Sequence, residues 1–438
     1  LNLHTFLSGR RLLRSEIPFL FEELNQPFIQ TERAISFNKG KPQCLRCGNQ
    51  DRSLFGEHLC TKCQQMCVYC RHCIQLRKVS SCEKLYTWTG PEIVFPQREN
   101  SLQWQGQLST GQAKASAAVV QAIEQNEEIL VWAVCGAGKT EVLFRGLEQA
   151  FSQGKRVLLS TPRTDVVQEL SPRLRRSFPH THISTLYGGS KDREPGAQLV
   201  LSTTHQAMRF YRAFDVVIID EVDAFPFSYD QSLQWAVSQA KKLESAMIYL
   251  SATPSRKLVT TPNLQVIKIP KRFHGHPLPQ PRFEWCGNWP KQLSKNKLPP
   301  ALHHWIQAHP GKPLLLFVPS LSVLKTVSSL LTIPHHAVHS QEPNRHSYVE
   351  AFRNGKVSLL VTTTILERGV TFANVQVAVL GAENQIFTEA ALVQIAGRVG
   401  RSSLAPTGDV LFFHFGITVE MKKARSHIQL MNQEGERL

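Results

Sequence analysis

Ala133-Val-Cys-Gly136-Ala137-Gly138-Lys139-Thr140 is the stretch that decides how the rest of the chain is read. An apolar run, Ile129 to Trp132, precedes it and reads as a buried strand, and residues 141–151 read as a helix. In the order strand, glycine loop, helix, the loop amides and the helix N-terminus point at one place and bind anionic phosphate there. The pattern then gives each residue a task. Gly136, Ala137 and Gly138 supply the backbone cradle, Lys139 reaches the β/γ-phosphates, and the Thr140 hydroxyl holds Mg²⁺. A tight glycine turn without a ligand would fit the same eight letters, so the loop needs a second witness.

That witness is Val216-Val-Ile-Ile-Asp220-Glu221-Val222-Asp223, an apolar strand ending in adjacent acids. Asp220 at the strand end suits the Mg²⁺ shell, and Glu221 suits orienting and deprotonating an attacking water. Alone, the acids would read as a loop after a core strand. Both motifs in this order point to a nucleoside triphosphatase.

Two further motifs indicate what hydrolysis drives. Ser251-Ala252-Thr253 follows the apolar run Met247–Leu250 and offers hydroxyls that can link the acidic box to a moving part. Gln394-Ile-Ala-Gly397-Arg398-Val-Gly-Arg401 spaces two arginines three apart, which predicts one face of a helix. A guanidinium pair on a separate domain reaches a γ-phosphate only when two domains close, and closure couples hydrolysis to motion.

With these motifs in order, residues 108–402 resemble a superfamily 2 helicase. The resemblance implies an α/β fold of two RecA-like parallel-sheet lobes. It assigns Gln112, in Leu108-Ser-Thr-Gly-Gln112, to adenine. It assigns Ser160-Thr-Pro-Arg163 and Thr203-Thr-His-Gln206 to the nucleic-acid backbone. Leu314–Ser320 resembles the first strand motif of the second lobe. Thr362–Val370, with Arg368 and Gly369, resembles the next, expected to meet both nucleic acid and nucleotide. The box reads Asp-Glu-Val-Asp and the last motif begins with Gln394, departures that lean away from the RNA-unwinding branch.

Composition agrees. The 438 residues carry 50 Lys plus Arg against 34 Asp plus Glu, a formal net charge of +16, which favours a polyanionic partner. The length suits two or three domains. No apolar run reaches the roughly 18 residues of a membrane span, and no secretory segment is visible, so a cytoplasmic protein, peripheral to a membrane at most, is expected. The chain opens on Leu1 rather than Met, as truncation or an unusual start codon would produce.

Eight of the ten cysteines fall between Cys44 and Cys82: Cys44, Cys47, Cys60, Cys63, Cys67, Cys70, Cys73 and Cys82. A Cys-x2-Cys turn aims two thiolates at one ion, and two such turns complete a tetrahedral zinc site. The first four have zinc-ribbon spacing. The second four suggest another site, and a cross-braced arrangement leaves the pairing open. A disulfide framework fits poorly beside an intracellular ATPase. His58 and His72 could replace a ligand but read first as exposed side chains, and Cys135 and Cys286 as ordinary small residues. Arg46, Arg52, Lys62, Arg71 and Arg77 give the module a basic cast.

The expected layout is an N-terminal segment (1–40), a small cysteine-rich zinc-binding module (41–90), an ATP-binding lobe (98–270), a Pro-rich connection (271–299) and a C-terminal lobe (300–438). Phe225, Phe227 and Tyr229 follow the acidic box; aromatics beside a buried strand usually fill core, although bases could stack on them.

A cysteine module ahead of the first lobe makes nearly the whole chain resemble the ComFA family of late-competence ATPases. Its most specific stretches are Arg46-Cys-Gly-Asn49, Cys67-Val-Tyr-Cys-Arg71, Asp220–Pro226 and Thr364–Thr371. The resemblance implies single-stranded DNA binding, DNA-stimulated ATP hydrolysis, and partners in the DNA-uptake machinery at the inner face of the membrane; it is compatible with an oligomer. Two alternatives stand beside it. The primosomal replication-restart helicase PriA has a cysteine-rich module too, but it is longer and carries the cysteines within its motor. An ATP-switched nucleic-acid scaffold is the other, and intact Glu221, Arg398 and Arg401 argue against it.

Overall fold

The strand Val157–Thr161 is buried at every position, as is Leu199–Thr203, and runs of that kind pair in parallel under helices on both faces. In the computed structural model, which describes residues 2–74, 76–192 and 194–437, they lie inside a seven-stranded sheet. Its order is Ile183–Leu186, Leu199–Thr203, Val157–Thr161, Phe214–Ile219, Lys241–Ser251, Glu128–Ala133 and Gln265–Ile269. The pairs from Ile183–Leu186 through Lys241–Ser251 are parallel. Helix Lys139–Ser152 buries Val142, Leu143, Phe144, Leu147, Ala150 and Phe151, a stripe at helical spacing. Gly146 lets helix Thr110–Gln125 come close, since a Cβ there would stand 2.7 Å from Val119 Cγ1.

A second, six-stranded sheet is parallel throughout: Arg282–Trp285, Val410–His414, Gln376–Leu380, Leu314–Phe317, Leu359–Thr362 and His335–Val338. Trp289, Leu302, Trp305, Leu316, Leu380 and Phe413 lie in its core. Two parallel-sheet lobes are therefore present, as expected. The Pro-rich passage does more than connect: after Pro281 it supplies the edge strand Arg282–Trp285 and the helix Trp289–Ser294. An edge strand tolerates nearby proline because only one of its sides needs ladder hydrogen bonds.

Residues ahead of the first lobe form three small antiparallel pieces. Arg11–Leu13 and Ile29–Arg33 flank Lys84–Trp88, so the N-terminal segment and the far end of the cysteine module share one sheet. Ile35–Asn38 pairs with Lys41–Cys44, and Met66–Cys70 pairs with both Phe55–Leu59 and Val79–Ser80. Leu13, Ala34, Ile35, Phe55, Val79 and Leu85 join one apolar core with Leu158, Val200, Met208, Phe214, Val217, Leu233 and Val237. A buried ion network reinforces that junction: Glu16 Oε1 accepts from Arg46 at 2.9 Å and from Arg209 at 2.7 Å. Arg46 is thus not part of a basic surface, since its side chain is fully buried.

By internal contacts the chain divides into two units. The first runs to Gln107 and includes Lys114–Val131 and Thr140–Ile267; the second comprises Leu108–Ala113, Trp132–Lys139 and everything from Lys268. The glycine loop up to Lys139 thus groups with the second unit. No helix among the described residues is long and apolar enough to cross a membrane.

Candidate functional site

Strand Glu128–Ala133 ends where the glycine loop begins, and helix Lys139–Ser152 starts on the loop's lysine. Gly136 (φ +79°) and Gly138 (φ +72°) take left-handed backbone, which turns the chain sharply enough to aim successive amides inward. The buried Gln112 braces this loop: its Nε2 donates to Ala137 O at 2.8 Å, and its Oε1 accepts from Ser109 N at 2.8 Å.

The acidic box leaves strand Phe214–Ile219. Asp220 N donates to Ser160 O at 2.9 Å, and Asp220 Oδ1 accepts from Glu221 N at 2.9 Å. Glu221 is buried and held at φ +56°, a conformation that costs a side-chain-bearing residue on the order of 1 kcal/mol and aims its carboxylate by force of surroundings. Asp223 accepts from the hydroxyls of Ser251 and Thr253, both at 2.6 Å. The neighbouring strand Lys241–Ser251 pairs in parallel with Phe214–Ile219, so box and hydroxyl turn emerge together. Hydrogen bonds thus join the turn to the last acid of the box.

In the second unit, helix Glu389–Ala396 stops short of the two arginines. Arg398 and Arg401 therefore sit in the turn after the helix and not on one helical face, which corrects the reading from their spacing. Gly397 caps the helix and the chain turns again at Gly400 (φ +68°). Arg398 is buried; its Nε donates to Glu367 O at 3.0 Å and its Nη1 to Val370 O, bracketing Arg368 and Gly369 (φ +75°). Arg401 is half-buried, with Nε on Gly397 O at 3.0 Å.

Two residues matter more than the sequence indicated. Cys135 is no isolated small residue: its Sγ donates to Gln394 Oε1 at 3.1 Å. Arg272, which no motif marks, is fully buried and donates to the carbonyls of Val399, Gly400, Pro277 and Pro406. Burial pulls its guanidinium down to about 10, still charged at neutral pH. An arginine beside prolines gives no sequence signal of this role.

The fold brings the cysteines together as Cys44, Cys47, Cys70 and Cys73, and as Cys60, Cys63, Cys67 and Cys82, with all sulfurs of a group within 4.8 Å of one another. The zinc-ribbon grouping of the first four is overturned, and the cross-braced arrangement is the one found. Strand Met66–Cys70 is the reason: Cys67 and Cys70 are an odd number of residues apart, so they point to opposite faces and serve different groups. Sγ–Sγ separations are 3.6 Å (Cys44–Cys73), 3.8 Å (Cys47–Cys70), 3.6 Å (Cys60–Cys82) and 3.3 Å (Cys63–Cys67). Four thiolates about 2.3 Å from one ion would stand roughly 3.8 Å apart, so both groups fit a tetrahedral metal. The described cysteines form no disulfide. Backbone amides of Cys63 and Lys62 draw the Cys60 thiol down to about 6, and Asn49 Nδ2 donates to Cys70 Sγ at 3.6 Å, both favouring thiolate. Neither His58 nor His72 joins a group. His72 instead meets Asp230 at 3.1 Å.

The aromatic triplet divides. Phe227 is 5% exposed and lies in the core, whereas Phe225 (75%) and Tyr229 (76%) stand in solvent, against the expectation that all three fill space.

These features define the chain as a superfamily 2 helicase. Residues 105–256 match the domain described as type III restriction enzyme, res subunit, and residues 296–403 match the helicase conserved C-terminal domain. Residues 1–87 match the competence protein ComFA N-terminal domain. The chain is 48% identical to competence protein ComFA of Bacillus subtilis strain 168, over 98% of this chain and 95% of that one. It is 40% identical to competence protein ComFA of Streptococcus pneumoniae strain R6, over 84% and 86% respectively. Among solved structures it is similar to Saccharomyces cerevisiae Dbp5 (TM-score 0.54, 15% identity, 74% of this chain and 91% of that one). It is also similar to Mycobacterium smegmatis helicase Lhr (TM-score 0.54, 17% identity, 76% and 50%). The chain belongs to the ComFA family and is an ATP-hydrolysing DNA helicase or translocase of competence.

Proposed function

We propose that the chain moves along single-stranded DNA and thereby powers DNA uptake in natural transformation, working at the inner face of the membrane with other uptake proteins. The observation that carries this reading is the carboxylate of Asp223 shared by Ser251 and Thr253, which ties the hydrolytic box to a second segment of the first lobe. A motor needs its hydrolytic box joined to other segments of the chain, and this carboxylate supplies one such joint.

In this reading Gly136 to Thr140 hold the phosphates of ATP, with Lys139 on the β/γ oxygens. Thr140 and Asp220 would hold Mg²⁺, whose charge offsets that of the phosphates. Glu221 orients the attacking water and takes its proton. Arg401 meets charge building on the γ-phosphoryl group, while Arg398 supports it and keeps the turn at Gly369 in place. Gln112 retains a second amide hydrogen and a second lone pair, enough to meet an adenine edge without releasing Ala137 or Ser109. Each cysteine group would take one Zn²⁺, the ion that all-thiolate tetrahedra favour in structural sites.

The test is steady-state ATP hydrolysis by the wild type and Glu221→Gln, with no nucleic acid, single-stranded DNA, duplex DNA or RNA. Strong stimulation by single-stranded DNA is expected, with a loss of about 10²–10⁴-fold in the variant. Stimulation by RNA alone would remove the DNA-uptake reading.

A further inference from the structure

Phe225 and Tyr229 are the unexplained feature of the first lobe. Their rings lie 6.5 Å apart at 48°, both facing solvent, on a turn that is itself well held. Ser228 N donates to Ala224 O, and both Tyr229 N and Asp230 N donate to Pro226 O. Gln234 Nε2 donates to Phe227 O at 3.0 Å, and Phe227 anchors the turn in the core. So the rings are not exposed because the segment is loose. The backbone presents them.

Both ends of the turn are tied to something functional. Upstream, Asp223 receives the Ser251 and Thr253 hydroxyls, and Ala224 N donates to Glu221 O at 2.8 Å. Downstream, Asp230 Oδ1 caps helix Gln231–Ala240, and its other oxygen meets His72, which lies between Cys70 and Cys73. His205, from the Thr203–Gln206 segment, is within electrostatic reach of both Asp230 and His72. Arg71, exposed, is the chain neighbour of His72. Two solvent-facing rings on a held turn, with the imidazoles of His72 and His205 close to its far end, make a surface suited to stacking bases.

We propose that Phe225 and Tyr229 form a base-stacking platform for single-stranded DNA, and that the turn carrying them transmits strand engagement to Glu221 through Asp223. The proposal rests on the reading that the chain acts on single-stranded DNA. Stacking needs only a π-face, so it grips any base, as a motor indifferent to sequence requires. The contact between Asp230 and His72 holds the platform's far end against the cysteine module, whose part here is to position the rings.

The experiment compares two fluorescent oligonucleotides of equal length, one with bases and one abasic, by anisotropy against the full chain. Wild type should prefer the base-bearing strand. The double variant Phe225→Ala/Tyr229→Ala should lose roughly five- to hundred-fold in affinity for that strand and little for the abasic one. Phe225→Trp should keep the preference, and an unchanged melting midpoint would show that each variant is folded. Asp223→Asn, which leaves the rings in place, should keep the preference for bases and lose DNA stimulation of hydrolysis. A double variant that still discriminates overturns the proposal and hands the rings to a protein partner. Equal losses on both strands overturn it as well. If the wild type binds neither strand, the single-stranded DNA reading fails, and the platform with it.

Discussion

At the scale of single residues, Glu221 and Glu16 show what backbone strain and buried charge each do here. Glu221 is held at φ +56° at the end of a core strand, with its amide on the Asp220 carboxylate. In the role proposed for Glu221 this is an advantage, because a carboxylate so held would not relax away from the water it is to orient. Glu16 is the other. Its carboxylate is 2% exposed between Arg46, 0% exposed, and Arg209, so removing it strands a guanidinium away from water. Breaking a buried pair from one side costs about 3–5 kcal/mol, more than most surface ion pairs contribute in total. Glu16→Ala should therefore lower unfolding stability by about that much in urea titrations followed by tryptophan fluorescence. A loss under about 1 kcal/mol would show that the network is dispensable.

At the scale of elements, hairpin Phe55–Leu59/Met66–Cys70 does the most with the fewest residues. One strand sends Cys67 to one group and Cys70 to the other, so the two groups brace each other. They differ in setting. Cys44, Cys47, Cys70 and Cys73 are at most 1% exposed and share the lobe's core, while Cys82 is open to solvent and Cys63 is half-buried. Elemental analysis should find about two zinc ions per chain. Cys82→Ser should fold and retain about one, whereas Cys70→Ser should be recovered poorly because its loss opens the core. Equal damage from both variants would mean that the two groups are equivalent. Gly48 shows how tightly the module is seated. It follows Cys47 at φ +70°, and a Cβ there would stand 2.6 Å from the Trp235 ring.

At the scale of the whole molecule, acid should loosen the fold before it reaches the carboxylates. Burial is the largest influence on His205, His274 and His414, and it lowers each below the ordinary 6.5. A group depressed in the native state protonates more readily once unfolded. Stability is then fully present above pH 6.5 and drains away as pH falls through the lower native values. Melting midpoints should thus hold above about pH 6.5 and decline from about pH 6.5 to 5 with zinc in excess, and less steeply in His414→Asn. A flat profile over that window would exclude the effect. The net charge of +16 adds self-repulsion that grows in the same direction.

Most of the motor can be read along the chain. Glycine loop, acidic box, hydroxyl turn and parallel strands were legible because each rests on local rules: a φ only glycine adopts easily, a run buried on both faces, an acid at a strand end. What local rules do not reach is which distant groups meet. The sorting of eight cysteines depends on which face of strand Met66–Cys70 each one takes, and so on pairing with Phe55–Leu59. Arg398 and Arg401 left the helix predicted for them because it ends at Gly397. Phe225 and Phe227, two apart in sequence, part company, one into water and one into core, on a turn where Gln234 of helix Gln231–Ala240 holds the Phe227 carbonyl. Spacing along the chain is a covalent fact, but burial is decided by what packs on the other side, and only the tertiary structure supplies that.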